Sequence, residues 1–285
     1  MTEPLPDLLI APVVQAALAE DFGRAGDVTS QACVPAEARL RAVFVARKPG
    51  VIAGLACARL AIAELDPGAD FKAIIEDGAR VSAGQQLIWV DANARALLGA
   101  ERVGLNLLGH LSGVATLTRA YVDAVEGTGA IVVDTRKTTP GLRALEKYAV
   151  RCGGGVNHRF GLDDAILIKD NHIAACGGVS AALERARAAA GHLVKIEIEV
   201  DTLAQLEEAL QAIERGVGPD VVMLDNFSLD DLRIAVSRAR RKVLLEASGG
   251  VTLNTVRAIA ETGVDVISSG ALTHSAPALD VGLDV

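Results

Sequence analysis

Residues 221–270, VVMLDNFSLDDLRIAVSRARRKVLLEASGGVTLNTVRAIAETGVDVISSG, decide the fold. Three short apolar runs, VVMLD from 221, VLLEAS from 243 and VDVISS from 264, are parted by LDDLRIAVSRARR and TLNTVRAIAETG, whose apolar residues recur at three and four spacing. The runs read as strands buried on both faces, and the stretches between them as covering helices. The alternation extends upstream. IVVDT near 131, AILIK near 165 and VKIEIEV near 194 are further strands, and PGLRALEKYAV, VSAALERARAAAG and LAQLEEALQAIERG further helices. Six units spaced roughly 20 to 35 residues apart predict a parallel sheet with crossover helices.

Such a sheet can lie open or close into a barrel. No G-x-G-x-x-G follows any strand, so the phosphate turn of a dinucleotide-binding open sheet is missing. The strands end instead in polar or ionisable residues: Asp134, Thr135, Arg136, Lys137; Lys169, Asp170, Asn171, His172; Glu197, Glu199; Asp225, Asn226; Glu246, Ser248; Ser268, Ser269, Gly270. A (β/α) barrel brings all such ends to one mouth, where catalytic groups lie. With six or seven strands rather than eight, the barrel is incomplete.

The first hundred residues differ. A helix at 8–21 (LLIAPVVQAALAED), strand-like stretches at 39–55 and 85–93 and a helix over 52–66 predict an α+β sandwich. The spaced glycines of DGARVSAGQQL, 77–87, resemble the half-turns of biotinyl and lipoyl carrier modules. With no lysine at the tip to carry a cofactor, the segment reads as two tight turns in a small sheet. A long helix from Ala100 to about Thr128 links the halves. The expected division is an N-terminal α+β domain over 1–112, a barrel over 113–270, and a tail over 271–285 that packs back on the first domain.

Composition narrows the function. The chain has 285 residues, 51% hydrophobic and only 3% aromatic, enough for substantial aliphatic cores. A net charge of −8 with no basic run excludes nucleic acid as a partner. No apolar stretch approaches a membrane span, and MTEPLPDLLI lacks the features of a secretion signal, so a soluble cytoplasmic protein is expected. Cys33, Cys57, Cys152 and Cys176 are too scattered for a zinc site and read as reduced, packed thiols.

The mouth itself is rich in cations. DTRKTTPGLR sets Arg136 and Lys137 just past a strand, with Thr139 as a helix N-cap and Pro140 at the first helical position, a turn that aims backbone N–H groups at an anion. GGGVNHRFG adds His158 and Arg159, and LIKDNH adds Lys169 and His172. So many basic groups around one pocket call for an anionic ligand. Glu199 and Asp225 end consecutive strands and suit a hydrated divalent cation such as magnesium. SGGVT at 248–252 and SSGALTHS at 268–275 put glycines where the phosphate cups of barrels form, on the last strands. The pocket therefore suits a small acid and a sugar phosphate. Other readings are a Schiff-base aldolase using Lys169, and an anion sensor that does no chemistry and needs no Glu199 and Asp225 pair.

In order, ERVGLNLLGHLSG, DTRKTTPGLRALEKYAVRCGGGVNHRFGL, LIKDNHI, EIEVDTL, LDN, EASGGVTL and TGVDVISSGALTHSAPALD resemble the quinolinate phosphoribosyltransferase (nicotinate-nucleotide pyrophosphorylase) family, over nearly the whole chain. The resemblance implies transfer of the phosphoribosyl group of phosphoribosyl pyrophosphate to quinolinate, with decarboxylation, in NAD biosynthesis. It implies magnesium and no organic cofactor. It also implies a homodimer, or a higher oligomer, in which Arg102 is lent across the interface. Thr135, Arg136, His158, Arg159 and Lys169 would hold the substrate carboxylates together with Arg102. Lys137, Glu199 and Asp225 would serve the ribose, pyrophosphate and metal, and Ser248, Gly249, Gly250, Ser269 and Gly270 the 5-phosphate, with His274 beside them. A paralogue acting on another acid is the alternative within the family. The sequence departs from the family pattern at Val103 and Gly104, in a longer loop at 214–220, and at Ser269, where an apolar residue is usual; no charged group is lost.

Overall fold

The computed structural model describes residues 3–239 and 241–285. Its strands are β1 (Arg39–Ala46), β2 (Gly50–Val51), β3 (Asp70–Ala73), β4 (Arg80–Val81), β5 (Gln86–Asn93), β6 (Ile131–Val133), β7 (Ile166–Ile168), β8 (Ile196–Val200), β9 (Val221–Asp225), β10 (Leu244–Ser248), β11 (Val266–Ser268) and β12 (Val281–Asp284). The chain forms two compact units. One contains residues up to 119, 138–154 and 272–285; the other contains 120–137 and 155–271.

The second unit is the parallel sheet the sequence predicts, in the order β6-β11-β10-β9-β8-β7. Every pairing in it is parallel. In a flat sheet built in chain order β6 and β11 would lie at opposite edges; their pairing curls the sheet round on itself, and the gap falls between β6 and β7. Val156 makes a lone parallel bridge to Val133 on that side of β6. The three glycines before it offer no side chains to extend the bridge into a strand. The result is an incomplete barrel.

Its walls explain the aliphatic composition. Ile196, Ile198, Val200, Val222, Leu224, Leu245, Ala247 and Ile267 are all buried. Side chains alternate across a strand, so in β8 the glutamates at 197 and 199 occupy the face opposite Ile196, Ile198 and Val200. Glu197 and Glu246 are nonetheless buried, 7% and 3% exposed. Acidic groups thus lie inside the barrel below its mouth.

The first unit carries an antiparallel sheet in the order β12-β1-β5-β3 and a small β2–β4 pair. The helix Asp7–Phe22 buries Ile10, Val14 and Leu18, one stripe at four-residue spacing, against the helix Leu55–Leu65. Tight turns at Glu76–Ala79 and Ser82–Gln85 flank β4, as read for the 77–87 segment. β3 and β12 and the short helices Val28–Cys33, Asp170–Cys176 and Ala271–His274 were not apparent in the sequence pattern.

The C-terminal residues add β12 to β1, Val43 opposite Asp284, with an ion pair between Arg47 and Asp284. Before it, the chain lies along the helix Ala94–Ala124: Leu279 N–H donates to Gly109 C=O at 2.9 Å. A Cβ on Gly113 would stand 2.2 Å from the Pro277 carbonyl oxygen, so only glycine admits the tail there. No helix among the described residues is long and apolar enough to cross a membrane.

One local expectation needs correction. Thr139 does not cap a helix that begins at Pro140. A turn from Leu142 N–H to Thr139 C=O comes first, and the helix runs Arg143–Cys152 behind Leu142. Thr139 N–H instead donates to Glu146 Oε2 at 3.0 Å, while Glu146 Oε1 takes His110 Nε2 at 2.8 Å. Glu146 is fully buried, and these partners hold its carboxyl below the usual range against the opposing effect of burial.

Candidate active site

At the carboxyl ends of the barrel strands lies a cavity of about 400 Å³. Thr135, Arg136 and Lys137 follow β6; His158 and Arg159 come from the loop behind it; Lys169 follows β7. Glu199 is on β8, Asp225 on β9, Glu246 and Ser248 on β10, and Ser268 on β11; Leu167 and Met223 give apolar wall.

Asp134, fully buried at the end of β6, builds one side of this pocket. Its Oδ1 accepts the His158 backbone N–H at 2.9 Å and its Oδ2 accepts Asn157 Nδ2 at 2.7 Å. The next residues are shaped by Asp164, whose carboxylate takes the N–H groups of Phe160 and Gly161 at 2.6 and 3.0 Å. Arg159 stands between these anchors, with Nη1 on the Ala165 carbonyl at 3.1 Å. Burial, and then the neighbouring Arg136 guanidinium, push Arg159 below its ordinary value, while Glu197 and Asp164 pull the other way. Two guanidinium groups held together in a half-closed pocket form a site for a carboxylate, which each can bind with two parallel N–H bonds.

His158 has both ring nitrogens engaged. Nδ1 accepts the Arg159 N–H at 2.8 Å, and Nε2 lies 2.9 Å from Glu197 Oε2 and 3.7 Å from Glu246 Oε2. Burial first, and then the Glu197 carboxylate, raise Glu246 to about 7, while His158 opposes the rise. The unfolded chain releases this proton near 4.5 and the folded chain near 7, so the folded state binds the extra proton between them. Its stability falls as pH climbs through that window and stays lower above it. Glu246→Gln removes the buried charge and is expected to raise the melting temperature over wild type at about pH 8.5 while changing it little at about pH 5. Melting curves of both proteins across that range test this; an offset independent of pH would show that Glu246 does not change charge there.

Lys169 Nζ is ion-paired with Glu199 Oε2. That arrangement suits an anion-binding ammonium rather than the free amine of a Schiff-base nucleophile. Asp225 Oδ2 takes the side-chain N–H of Asn226 at 2.7 Å, and Asn226 N–H donates to Ser248 C=O at 2.9 Å. β9 is thereby tied to the turn after β10, where Gly249 and Gly250 both have positive φ, 91° and 59°. Consecutive amides in that conformation form an anion-binding concavity.

The remaining expected site residues are placed differently. Ser269 is buried, with Oγ on the Val251 carbonyl at 3.3 Å, which accounts for a polar residue in a usually apolar position. Gly249, Gly250, Ser269 and Gly270 are not among the residues lining the cavity. Arg102 and His274 belong to the first unit. Arg102 is exposed on the helix Ala94–Ala124, and His274 is exposed with Nδ1 2.7 Å from Ser275 Oγ. His172 turns back on its own strand end, its Nδ1 accepting the Lys169 N–H at 2.9 Å. Glu197, Glu246 and Ser268 read in the sequence only as strand ends; their signal is an acid or hydroxyl at an otherwise aliphatic strand position.

A half-closed parallel barrel with paired guanidiniums, carboxylates and a glycine turn at its mouth belongs to the class of α/β-barrel proteins that hold small anionic ligands. The chain is a member of the quinolinate phosphoribosyltransferase family. The model of that family's N-terminal domain matches residues 27–112, and that of its C-terminal domain residues 114–284. The nicotinate-nucleotide pyrophosphorylase (carboxylating) of Mycobacterium leprae is 51% identical over 277 residues, covering 95% of each chain. A probable enzyme of the same name from Bacillus subtilis is 47% identical, over 93% of this chain and 90% of its own. The crystal structure of NadC from Streptococcus pyogenes superposes with a TM-score of 0.93 at 40% identity, covering 99% of this chain and 98% of its own.

Proposed function

We infer that this chain is a nicotinate-nucleotide pyrophosphorylase (carboxylating): it joins quinolinate to the phosphoribosyl group of phosphoribosyl pyrophosphate, giving nicotinate mononucleotide, pyrophosphate and carbon dioxide in NAD biosynthesis. Near full-length identity of 51% to a relative of that name is the observation that carries it. The pocket has the chemistry such a reaction needs.

Arg136 and Arg159, with Thr135 and Lys169, hold the two ring carboxylates, and His158 backs Arg159 from behind, which points the ring nitrogen at the sugar. Orientation of this kind supplies much of the rate of a two-substrate reaction. Ser248, Gly249, Gly250 and Gly270 hold the 5-phosphate, with Ser269 buried behind them. As the nitrogen attacks the anomeric carbon and the bond to pyrophosphate breaks, negative charge grows on the leaving group and positive charge on the sugar. Lys137 stabilises the first, and the carboxylates of Glu199 and Asp225 the second. These two acids, both lining the cavity, are oxygen donors of the kind that magnesium prefers. When bound there, the ion neutralises pyrophosphate oxygens. Ribosylation leaves the ring nitrogen cationic, which stabilises the carbanion left on the neighbouring ring carbon when its carboxylate departs as carbon dioxide; that carbon then takes a proton from water, so no organic cofactor is needed. The protein acts as a homodimer or higher oligomer in which Arg102 of one copy completes the acid site of another, which suits the exposure of that side chain. It works in the cytoplasm, where free thiols such as all four cysteines here persist.

The test is to mix the protein with quinolinate, phosphoribosyl pyrophosphate and magnesium and to follow nicotinate mononucleotide and carbon dioxide, with nicotinate as a parallel acceptor. Product from quinolinate but not nicotinate is expected. Turnover of nicotinate instead, or of neither acid while phosphoribosyl pyrophosphate still binds, would point to a paralogue with another acceptor.

A further inference from the structure

We propose that Glu197 is a positioning residue, which fixes the tautomer and rotation of His158 from below the pocket and thereby the backbone that carries Arg159, governing recognition of the acid substrate without touching it. The inference rests on the quinolinate reading above. Its basis is the chain of bonds that runs from Glu197 through the imidazole to Arg159. A ring nitrogen that accepts a hydrogen bond has its lone pair there, so the Arg159 N–H on Nδ1, at 2.8 Å, assigns the proton of a neutral ring to Nε2. That proton points at Glu197 Oε2, 2.9 Å away. Glu246, at 3.7 Å, is beyond hydrogen-bonding range of the same nitrogen and only flanks it. The ring cannot turn without breaking both bonds, and with Glu197 only 7% exposed water offers little replacement.

Asp134 grips the same segment from the other side, through the His158 N–H and the Asn157 side chain. Residues 157–159 are thus held by two carboxylates, one on the backbone and one through the imidazole. Glu197 also bears on the guanidinium directly, being one of the groups that favour the charged form of Arg159. Bidentate recognition of a carboxylate depends on the plane of the guanidinium, so a small rotation of this backbone is felt at the substrate.

His158, Glu197 and Glu246 also offer three ligand atoms within 4.8 Å of one another, which could hold a metal ion. The tautomer argues against it. A metal on Nε2 needs the lone pair that the Arg159 N–H assigns to Nδ1, and Arg136 beside Arg159 repels a second cation.

The experiment compares wild type with Glu197→Ala, which removes the acceptor, and Glu197→Gln, which keeps an acceptor oxygen. For Glu197→Ala, KM for quinolinate is expected to rise about tenfold or more while KM for phosphoribosyl pyrophosphate stays within about twofold, and Glu197→Gln is expected to recover most of the loss. Independently of turnover, ¹⁵N spectra of the imidazole are expected to show the Nε2–H tautomer for His158 in wild type and its loss in Glu197→Ala. If wild type turns over no quinolinate, the functional reading fails while the spectra still decide this one. Equal shifts in both KM values, an unchanged KM for quinolinate in Glu197→Ala, no recovery in Glu197→Gln, or an Nδ1–H ring in wild type would each overturn the proposal.

Discussion

Replacing Arg159 with alanine is expected to lower kcat/KM for quinolinate by roughly a hundredfold to a few thousandfold, the equivalent of about 3–5 kcal/mol for losing one partner of a buried, charge-paired contact. KM for phosphoribosyl pyrophosphate should change little, because the glycine turn after β10 belongs to other strands. The size of the effect follows from burial and crowding. Arg159 is partly desolvated and feels the like charge of Arg136, a repulsion that an incoming dianion relieves, so the interaction energy is concentrated on the substrate. Arg159→Lys is expected to recover only part of the loss. It restores the charge but has neither the planar fork nor a second arm to hold the Ala165 carbonyl. Steady-state kinetics with each substrate varied in turn decide the matter. An equal rise in both KM values, or near wild-type activity in Arg159→Lys, would mean that Arg159 acts as a general positive charge and not as a fitted carboxylate clamp.

The sequence made the barrel legible because its signals are local and repeated. Each strand from β6 to β11 is an aliphatic run followed by polar residues, and the expected starts at 131, 165, 194, 221, 243 and 264 fall within a residue or two of those observed. Cation positions at the mouth were legible for the same reason: a charged residue directly after a buried strand has nowhere to go but the strand end. What escaped was whatever depends on pairing at a distance. β12 is four residues, VGLD, with no alternation to mark it; it is a strand because β1 offers an unpaired edge and because Gly109 and Gly113 clear a path for the tail. Glu197 and Glu246 were visible as residues, but their place beneath His158 comes from register. β8 and β10 both flank β9, Glu197 opposite Val221 and Glu246 opposite Met223, and no single-strand pattern contains that. The resemblance named a role for His158 in holding carboxylate; the structure adds that its two nitrogens already serve Arg159 and Glu197.

Gly249 is where one methyl group should do the most damage. A Cβ there would lie 2.2 Å from Asn226 Oδ1 and 2.8 Å from Asn226 N, and the residue has φ of 91°. Neither obstacle is a flexible chain end, because Asn226 is itself fixed, its N–H on Ser248 C=O and its side chain on Asp225. Relief of the clash must therefore move the turn, or Asn226, and with it the Asp225 carboxylate. Gly249→Ala is expected to raise KM for phosphoribosyl pyrophosphate by at least about tenfold, to raise the magnesium requirement, and to lower the melting temperature by a few degrees, from roughly 1–2 kcal/mol of left-handed strain with the steric term added. Gly250→Ala is the control. Its φ of 59° lies in the left-handed region that other residues can enter at a cost, and nothing stands within 4 Å of its Cβ. It should show the strain without the displacement: a similar small loss of stability, but a much smaller change in either requirement. If the two variants behave alike, the turn after β10 tolerates movement and its hold on the sugar phosphate does not run through Asn226. If only Gly249→Ala loses affinity for phosphoribosyl pyrophosphate and magnesium together, the phosphate turn and the Asp225 carboxylate act as one rigid piece.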